Sequence, residues 1–366
     1  MTPVPGTTLP RPAAAARPRP EAHRQTLYAA LALEVQAQGL TNRRHGYYAA
    51  RGAATLAVVG GAVAAHVLLG PTWWQLAVAA VLGLALTQVA FLTHDAGHRQ
   101  IFASARWNEW TARILATGVV GMAYGWWNTK HSRHHGAPNQ IDKDTDIEPG
   151  VLAWTPEQSD ARRGLPAWFA ARQGWLFFPL LTLEGVNLHA AGLRAILGGA
   201  PMKRRWLEFG LIVARLGGFL ALVLVVLPPG MAAAFVGVQL AVFGVSIGAT
   251  FAPNHKGMPL VPRGLTVDFL RRQVLMSRNI RGGWLVDTVM GGLNYQIEHH
   301  LFPHMPRPNL RRAAPLVRAF CERHGIAYTE TGLFQSYGIV VRYLNQVGLG
   351  SRDPFQCPLV QIYRPV

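Results

Sequence analysis

The chain is short of three things. It has two cysteines in 366 residues, Cys321 and Cys357, and neither sits in a Cys-x-x-Cys pair. That argues against a disulfide framework and a cysteine-based zinc site, and it fits a reducing compartment. Charge is scarce: Asp, Glu, Lys and Arg make up 14% of the residues, where soluble domains carry about 25%. Acid is scarcer still, with 18 Asp and Glu against 35 Lys and Arg, a net charge of +17. Low charge beside 50% apolar residues points to a membrane protein with a basic cytoplasmic side. No basic–aromatic groove motif accompanies the charge, so nucleic acid is not an expected partner.

Residues 1–25 are rich in Pro, Ala and Arg, and they read as a disordered tail without the apolar run of a signal peptide. A short amphipathic helix is expected over 26–40. Crossing a bilayer takes about 20 mostly apolar residues. Four stretches qualify, at about 50–70, 73–93, 207–227 and 231–252. Gly70, Pro71 and Thr72 join the first two, and Pro228, Pro229 and Gly230 join the last two, so each pair reads as a helical hairpin. Weaker apolar stretches at about 111–127 and 166–190 read as interfacial or half-buried helices.

The expected fold is therefore an all-α integral membrane protein with four transmembrane helices in two hairpins. Its membrane domain runs over 26–345, with a cytoplasmic helical cap from 94–205 and 253–345 and a tail at 346–366. Lys and Arg number six in 1–48, 13 in 94–205 and 14 in 253–366, and none lies in the two turns. By the positive-inside rule both termini and the central loop are cytoplasmic.

Eight of the 14 histidines fall in four places: "HDAGH" (His94, His98), "HSRHH" (His131, His134, His135), "NHKG" (His255) and "QIEHH" (His299, His300). His94 and His98 stand at i and i+4. His131, His134 and His135 stand at i, i+3 and i+4, and Gln296, His299 and His300 repeat that pattern. On a helix each set shares one face. His94, His98 and His255 follow the cytoplasmic ends of spans two and four, so all eight can converge at the inner membrane face. One four-coordinate zinc does not use eight imidazoles, and haem needs only one or two. Eight ligands point to two metals with open positions, as dioxygen chemistry at non-haem iron requires. Acids beside the boxes are candidate outer partners of the ligands: Asp95, Asp142, Asp144, Asp146 and Glu298.

With these boxes in view, the sequence resembles the membrane-bound fatty acid desaturases. HDAGH, HSRHH and QIEHH carry the resemblance, supported by "NYQIEHHLFP" and "FAPNHKGMP", over roughly residues 45–330. The nearest likeness is to bacterial acyl-CoA or acyl-lipid desaturases whose third box begins with Gln. The resemblance implies four spans and a cytoplasmic cap holding two non-haem irons. The ligands would be His94, His98, His131, His134, His135, His255, His299 and His300. Gln296 stands where the stearoyl-CoA type has a histidine, and it would either ligate iron or orient a ligand. Asn254 would order a water near the metal.

The implied reaction inserts a cis double bond into a fatty acyl chain, using O2 and two electrons. Front-end desaturases, which share the Gln-type box, often carry a fused cytochrome b5 domain. The 48 residues before the first span are too few for one and lack its HPGG motif. The expected electron donor is thus a separate ferredoxin or similar carrier with its reductase. The partners are an acyl-CoA or acyl-lipid substrate and membrane lipid.

Two alternatives stay open at this level. A hydroxylase or other oxygenase of a lipid, alkane or carotenoid chain would show the same boxes. A metal transporter should place charged groups along its spans, and only Glu208 and Arg215 are charged within 207–252. The inner faces of spans two and four are tunnel candidates, with Trp126 and Trp127 either walling a tunnel or standing in the interfacial aromatic belt. His66, His23, His45 and His324 read as structural or surface residues. His189 and His304 are ambiguous.

Overall fold

A computed structural model describes residues 26–199 and 201–350. The expected tail at 1–25, His23, and the end of the chain with Cys357 lie outside the described residues.

The first element is the helix Leu27–Ala37, where Thr26 accepts a hydrogen bond from the Ala29 N–H at 3.2 Å. Such N-caps satisfy one of the orphan donors of a first turn. Leu31 and Val35, one turn apart, are buried among Leu270, Val274, Ile297, Leu301, Val317 and Phe320. Each such side chain contributes roughly 1.5–3 kcal/mol on burial.

Among the described residues, four helices are long and apolar enough to cross a membrane: His45–Leu69, Gln75–Gly97, Arg205–Val226 and Pro229–His255. We refer to them as long helices one to four. The turn between the first two depends on Gly70, whose φ of +62° suits glycine. Gln75 closes that turn. Its amide nitrogen donates to the carbonyls of His66 and Gly70, each at 2.8 Å, and its oxygen faces His66 Nδ1 at 2.8 Å. His66 is thereby a buried structural group. Long helix four starts at Pro229, in the first turn, where a missing N–H costs nothing.

Two of the expected boundaries move. Long helix two continues through His94 to Gly97, and long helix four continues through Asn254 to His255. Hydropathy falls at the first polar residue, but backbone hydrogen bonding does not stop there. Even Pro253 is accommodated: the Ala249 carbonyl that it leaves without a helical donor accepts from the Tyr337 hydroxyl at 3.0 Å. Arg278 then donates to the carbonyls of Pro253 and Lys256 at the end of the helix.

Long helices two and four pack closely. A Cβ on Gly83 would lie 2.8 Å from the Gln239 carbonyl oxygen. The stretch expected at 166–190 contains the helix Leu165–Ala170 and a broken pair, Gln173–Leu181 and Glu184–Leu197, bent by 78°. The broken pair also sits against long helix four. A Cβ on Gly244 would lie 2.4 Å from the Leu181 oxygen, and one on Gly185 would lie 2.5 Å from the Leu240 oxygen. Small residues at helix crossings let backbones approach in this way. The stretch at 111–127 becomes the end of helix Ala105–Arg113, a π-helix Ile114–Val120 and the start of helix Tyr124–Gly136.

The all-α expectation needs one correction. Asn279–Arg281 and Glu330–Gly332 pair as two parallel strands of three residues each. The pairing joins the segment before the third histidine box to the helix Leu333–Gly348. It is too short to change the helical class.

Candidate metal centre

Four elements bring the eight histidines together. His94 lies in the last turn of long helix two, and His98 is its C-cap. His131, His134 and His135 lie on the helix Tyr124–Gly136. His255 ends long helix four, and Gln296, His299 and His300 lie on the helix Gln296–Leu301.

The eight divide five and three. His94, His98, His131, His135 and His299 present ring nitrogens within 4.8 Å of one another, and so do His134, His255 and His300. In the first group the Nε2 atoms of His98 and His131 are 2.8 Å apart. Those of His131 and His135 are 3.1 Å apart, as are those of His135 and His299. In the second, the His134 and His255 Nε2 atoms are 3.3 Å apart. Neutral imidazoles turned Nε2 to Nε2 have at most one proton to share. Two nitrogens bound at about 2.1 Å to one ion, at right angles, would stand about 3.0 Å apart. The observed spacings fit a shared cation. Among the described residues, the Nε2 atoms of His94 and His300 are also buried without a hydrogen-bond partner. The donor set therefore suits metal, and imidazole suits Fe, Zn, Cu and Ni alike.

The local electrostatics agree. Burial, then nearby histidines including His304 and His134, push His98 down to about 3. Burial and the surrounding rings also hold His131, His135, His299 and His300 well below the ordinary imidazole value. Neutral rings are the form that binds metal. His134 is the exception. Burial lowers it, but Asp144 and then Asp146 outweigh burial and leave its pKa raised.

The outer partners differ in part from the sequence expectation. Asp144 faces His134 Nδ1 at 3.0 Å and accepts from the Asn139 N–H at 2.7 Å, which fixes His134 with Nε2 towards the site. Asp146 lies 3.5 Å from the same Nδ1 and pairs with Lys130. Asp95 lies 3.6 Å from His94 Nδ1 and pairs with the buried Arg307. Asp142 turns outward to Arg263. Glu298 does not turn to a histidine. Its oxygens accept from Asn279 Nδ2 and the Tyr328 hydroxyl, each at 2.7 Å, and burial pushes its pKa up to about 7 against those two bonds.

Gln296 sits at the edge of the three-histidine group. Its Nε2 lies 2.9 Å from His255 Nε2, and its Oε1 accepts from Asn254 Nδ2 at 3.1 Å. Asn254 Nδ2 also donates to the Thr250 and Leu293 carbonyls at 3.1 and 3.0 Å. Those carbonyls fix the Asn254 amide, which in turn directs the Gln296 oxygen away from the histidines. Asn254 thus orients Gln296, a role its sequence position did not indicate.

Three supports carried no spacing signal. Gln273, fully buried, accepts from His300 Nδ1 at 2.9 Å and donates to the His135 carbonyl at 3.0 Å, linking the two groups. The Met276 carbonyl accepts from His255 Nδ1 at 3.0 Å. Arg307 is the third, through Asp95. Trp127 stacks on His131 with centroids 4.8 Å apart, and Gly97 leaves room for it, since a Cβ there would meet the Trp127 ring at 2.9 Å. The ambiguous His304 donates to the His98 carbonyl at 2.7 Å, and His189 donates to the Gly121 carbonyl at 2.9 Å. His324 donates to the Phe320 carbonyl at 2.8 Å, and His45 is exposed.

The Gln273→Leu variant is expected to weaken metal binding at the three-histidine group by about 10–100-fold, the usual effect of losing an outer partner. In metal per chain, measured during dialysis against a graded chelator, half of the metal should leave at a lower chelator concentration than in the wild type. A release profile like that of the wild type would remove Gln273 from this role.

The model of the fatty acid desaturase family matches residues 71–332, which include all eight histidines. The chain belongs to the fatty acid desaturase family. It is 31% identical over 293 residues to an acyl-lipid (9-3)-desaturase of Physcomitrium patens, covering 74% of this chain and 53% of that protein. It is 32% identical over 299 residues to fatty acid desaturase 3 of Bos taurus, covering 77% and 63%. A Delta(8)-fatty-acid desaturase of Helianthus annuus is 27% identical over 307 residues, covering 78% and 65%. The matched region of this desaturase-family chain thus spans between about half and two thirds of each relative's length.

Proposed function

We propose that the chain is a fatty acyl desaturase of the membrane. The reading is carried by the convergence of eight histidines, split five and three, at the ends of two long apolar helices. The proposed ligands are His94, His98, His131, His135 and His299 for one iron, and His134, His255 and His300 for the other. Two irons, when bound and reduced, supply the activation of dioxygen that an unactivated methylene pair requires. The overall reaction is R–CH2–CH2–R′ + O2 + 2 e⁻ + 2 H⁺ → R–CH=CH–R′ + 2 H2O. The electrons come from a separate carrier such as a ferredoxin. The substrate class is acyl-CoA or acyl-lipid.

The protein's part is placement. Asp144, Gln273 and the Met276 carbonyl turn three histidine Nε2 atoms inward. Trp127 fixes the His131 ring. Long helices two and four, which end in His94–His98 and His255, guide the acyl chain to the site along their facing surfaces. The four long helices cross the bilayer as two hairpins. Lys and Arg are concentrated in 1–48, 94–205 and 253–366 and absent from both turns. That distribution supports a topology with both termini, the cap and the histidines on the cytoplasmic side.

The test is product analysis in a host given a matched redox partner. Fatty acid methyl esters from cells with the wild type should include a new cis-unsaturated species by gas chromatography–mass spectrometry. That species should be absent with the His299→Ala, His300→Ala double variant. A hydroxylated product from iron-replete protein would replace desaturation with oxygenation.

A further inference from the structure

One polar cluster takes no part in the proposed metal centre. A cavity of about 220 Å³ lies between long helices two, three and four and the broken helix pair. Its walls include Leu86, Leu216 and Phe243, and three polar side chains line it: Arg215, His189 and Gln239. Arg215 stands ten residues after Arg205 and eleven before Val226 in long helix three. That is about 15 Å from either end. An ionisable residue at mid-span needs a partner or a function.

Arg215 is only partly provided for. Its Nε donates to the Val119 carbonyl at 2.6 Å, in the last turn of the π-helix, and its guanidinium lies over Phe219. Among the described residues no carboxylate lies within ion-pairing distance of it. The contrast with Glu208 on the same helix is direct, since Glu208 is buried against Arg113. Gln239 is 4% exposed, and its amide has no hydrogen-bond partner among the described residues. His189 gives Nδ1–H to the Gly121 carbonyl, which leaves Nε2 as an acceptor. Two donor groups and one acceptor thus line a small chamber that is otherwise apolar.

We propose that this cavity is a binding site for the carboxyl group of a free long-chain fatty acid entering from the bilayer. The carbonyl oxygen accepts from Arg215 and Gln239, and the acid O–H donates to His189 Nε2. A neutral acid can enter from the hydrocarbon, and the same donors hold the carboxylate once it ionises. Leu86 precedes His94 by eight residues on one helix, about 12 Å. The proposal rests on the membrane placement given above and not on the reaction.

The test is equilibrium binding of radiolabelled palmitic acid to the iron-loaded protein in phosphatidylcholine nanodiscs, with empty nanodiscs subtracted. Binding should saturate. Unlabelled palmitic acid should displace the label about tenfold better than methyl palmitate, which lacks the acidic proton and the charge. Gln239→Leu should weaken binding about fivefold or more with iron content unchanged. Arg215→Gln should weaken it further. Because Arg215 also holds Val119, Gln239→Leu is the deciding variant. Equal displacement by acid and ester would overturn the proposal, as would wild-type affinity in Gln239→Leu or the absence of saturable binding. Saturable, carboxyl-dependent binding by a protein that yields no desaturated product would refute the catalytic reading and leave this one standing.

Discussion

His135→Ala is expected to abolish turnover, with a loss of at least about 100-fold, beyond what losing an outer partner costs. The reason is its position between the two groups. Its Nε2 lies 3.1 Å from those of His131 and His299, and its ring stacks on His300 with centroids 4.2 Å apart. Its backbone carbonyl takes the Gln273 amide, so the short helix Phe269–Leu275 is anchored at the same point. The substitution removes a donor from the five-histidine group and a packing surface from the three-histidine group. Iron per chain should therefore fall together with activity. His304→Ala is the control. That ring is exposed and, among the described residues, bonds only the His98 carbonyl, so iron content should stay at the wild-type value and activity within about tenfold. Full iron occupancy in His135→Ala, or iron loss in His304→Ala, would contradict the assignment of ligands.

Glu208→Leu is expected to destabilise the fold by about 1–3 kcal/mol, the cost of buried donors left without their acceptor, since Arg113 keeps its second partner, Glu109. The Glu208 side chain is fully buried and that of Arg113 is 2% exposed. Glu208 also accepts from the Gly125 N–H at 3.1 Å, at the start of the helix that carries His131, His134 and His135. Removing it takes the buried acceptor from that N–H and from one side of the guanidinium, whose Nη2 keeps Glu109 at 2.7 Å. The double variant Arg113→Met, Glu208→Leu should recover much of the loss, because apolar replacement of a whole buried pair is often tolerated. Thermal unfolding in detergent reads this directly. A double variant no better than Glu208→Leu would show that the Gly125 contact, not the ion pair, carries the effect.

Some of this was legible in the chain itself. Apolar runs marked four long helices to within a few residues, and Gly70 and Pro229 marked where they begin and end. The i, i+3, i+4 spacing put the members of each histidine box on one helical face. Other features were not legible. Nothing in "HDAGH" announces that Asp95 turns to Arg307, more than 200 residues away in sequence. Glu298 looked like a partner for His299, yet Asn279 and Tyr328 take its carboxylate from outside the box. Gln273 lies in no motif at all.

The sequence alone therefore determined the helices, their apolarity and which residue types could bind metal. Those properties follow from backbone periodicity and from transfer of contiguous side chains out of water. Tertiary structure alone decided the five-and-three division, the hold of Asn254 on the Gln296 amide oxygen, and the polar cavity around Arg215. Each depends on how helices distant in sequence are rotated and spaced against one another. For long helices two and four and the broken pair, close packing at Gly83, Gly185 and Gly244 is part of that relation, and no local spacing encodes it.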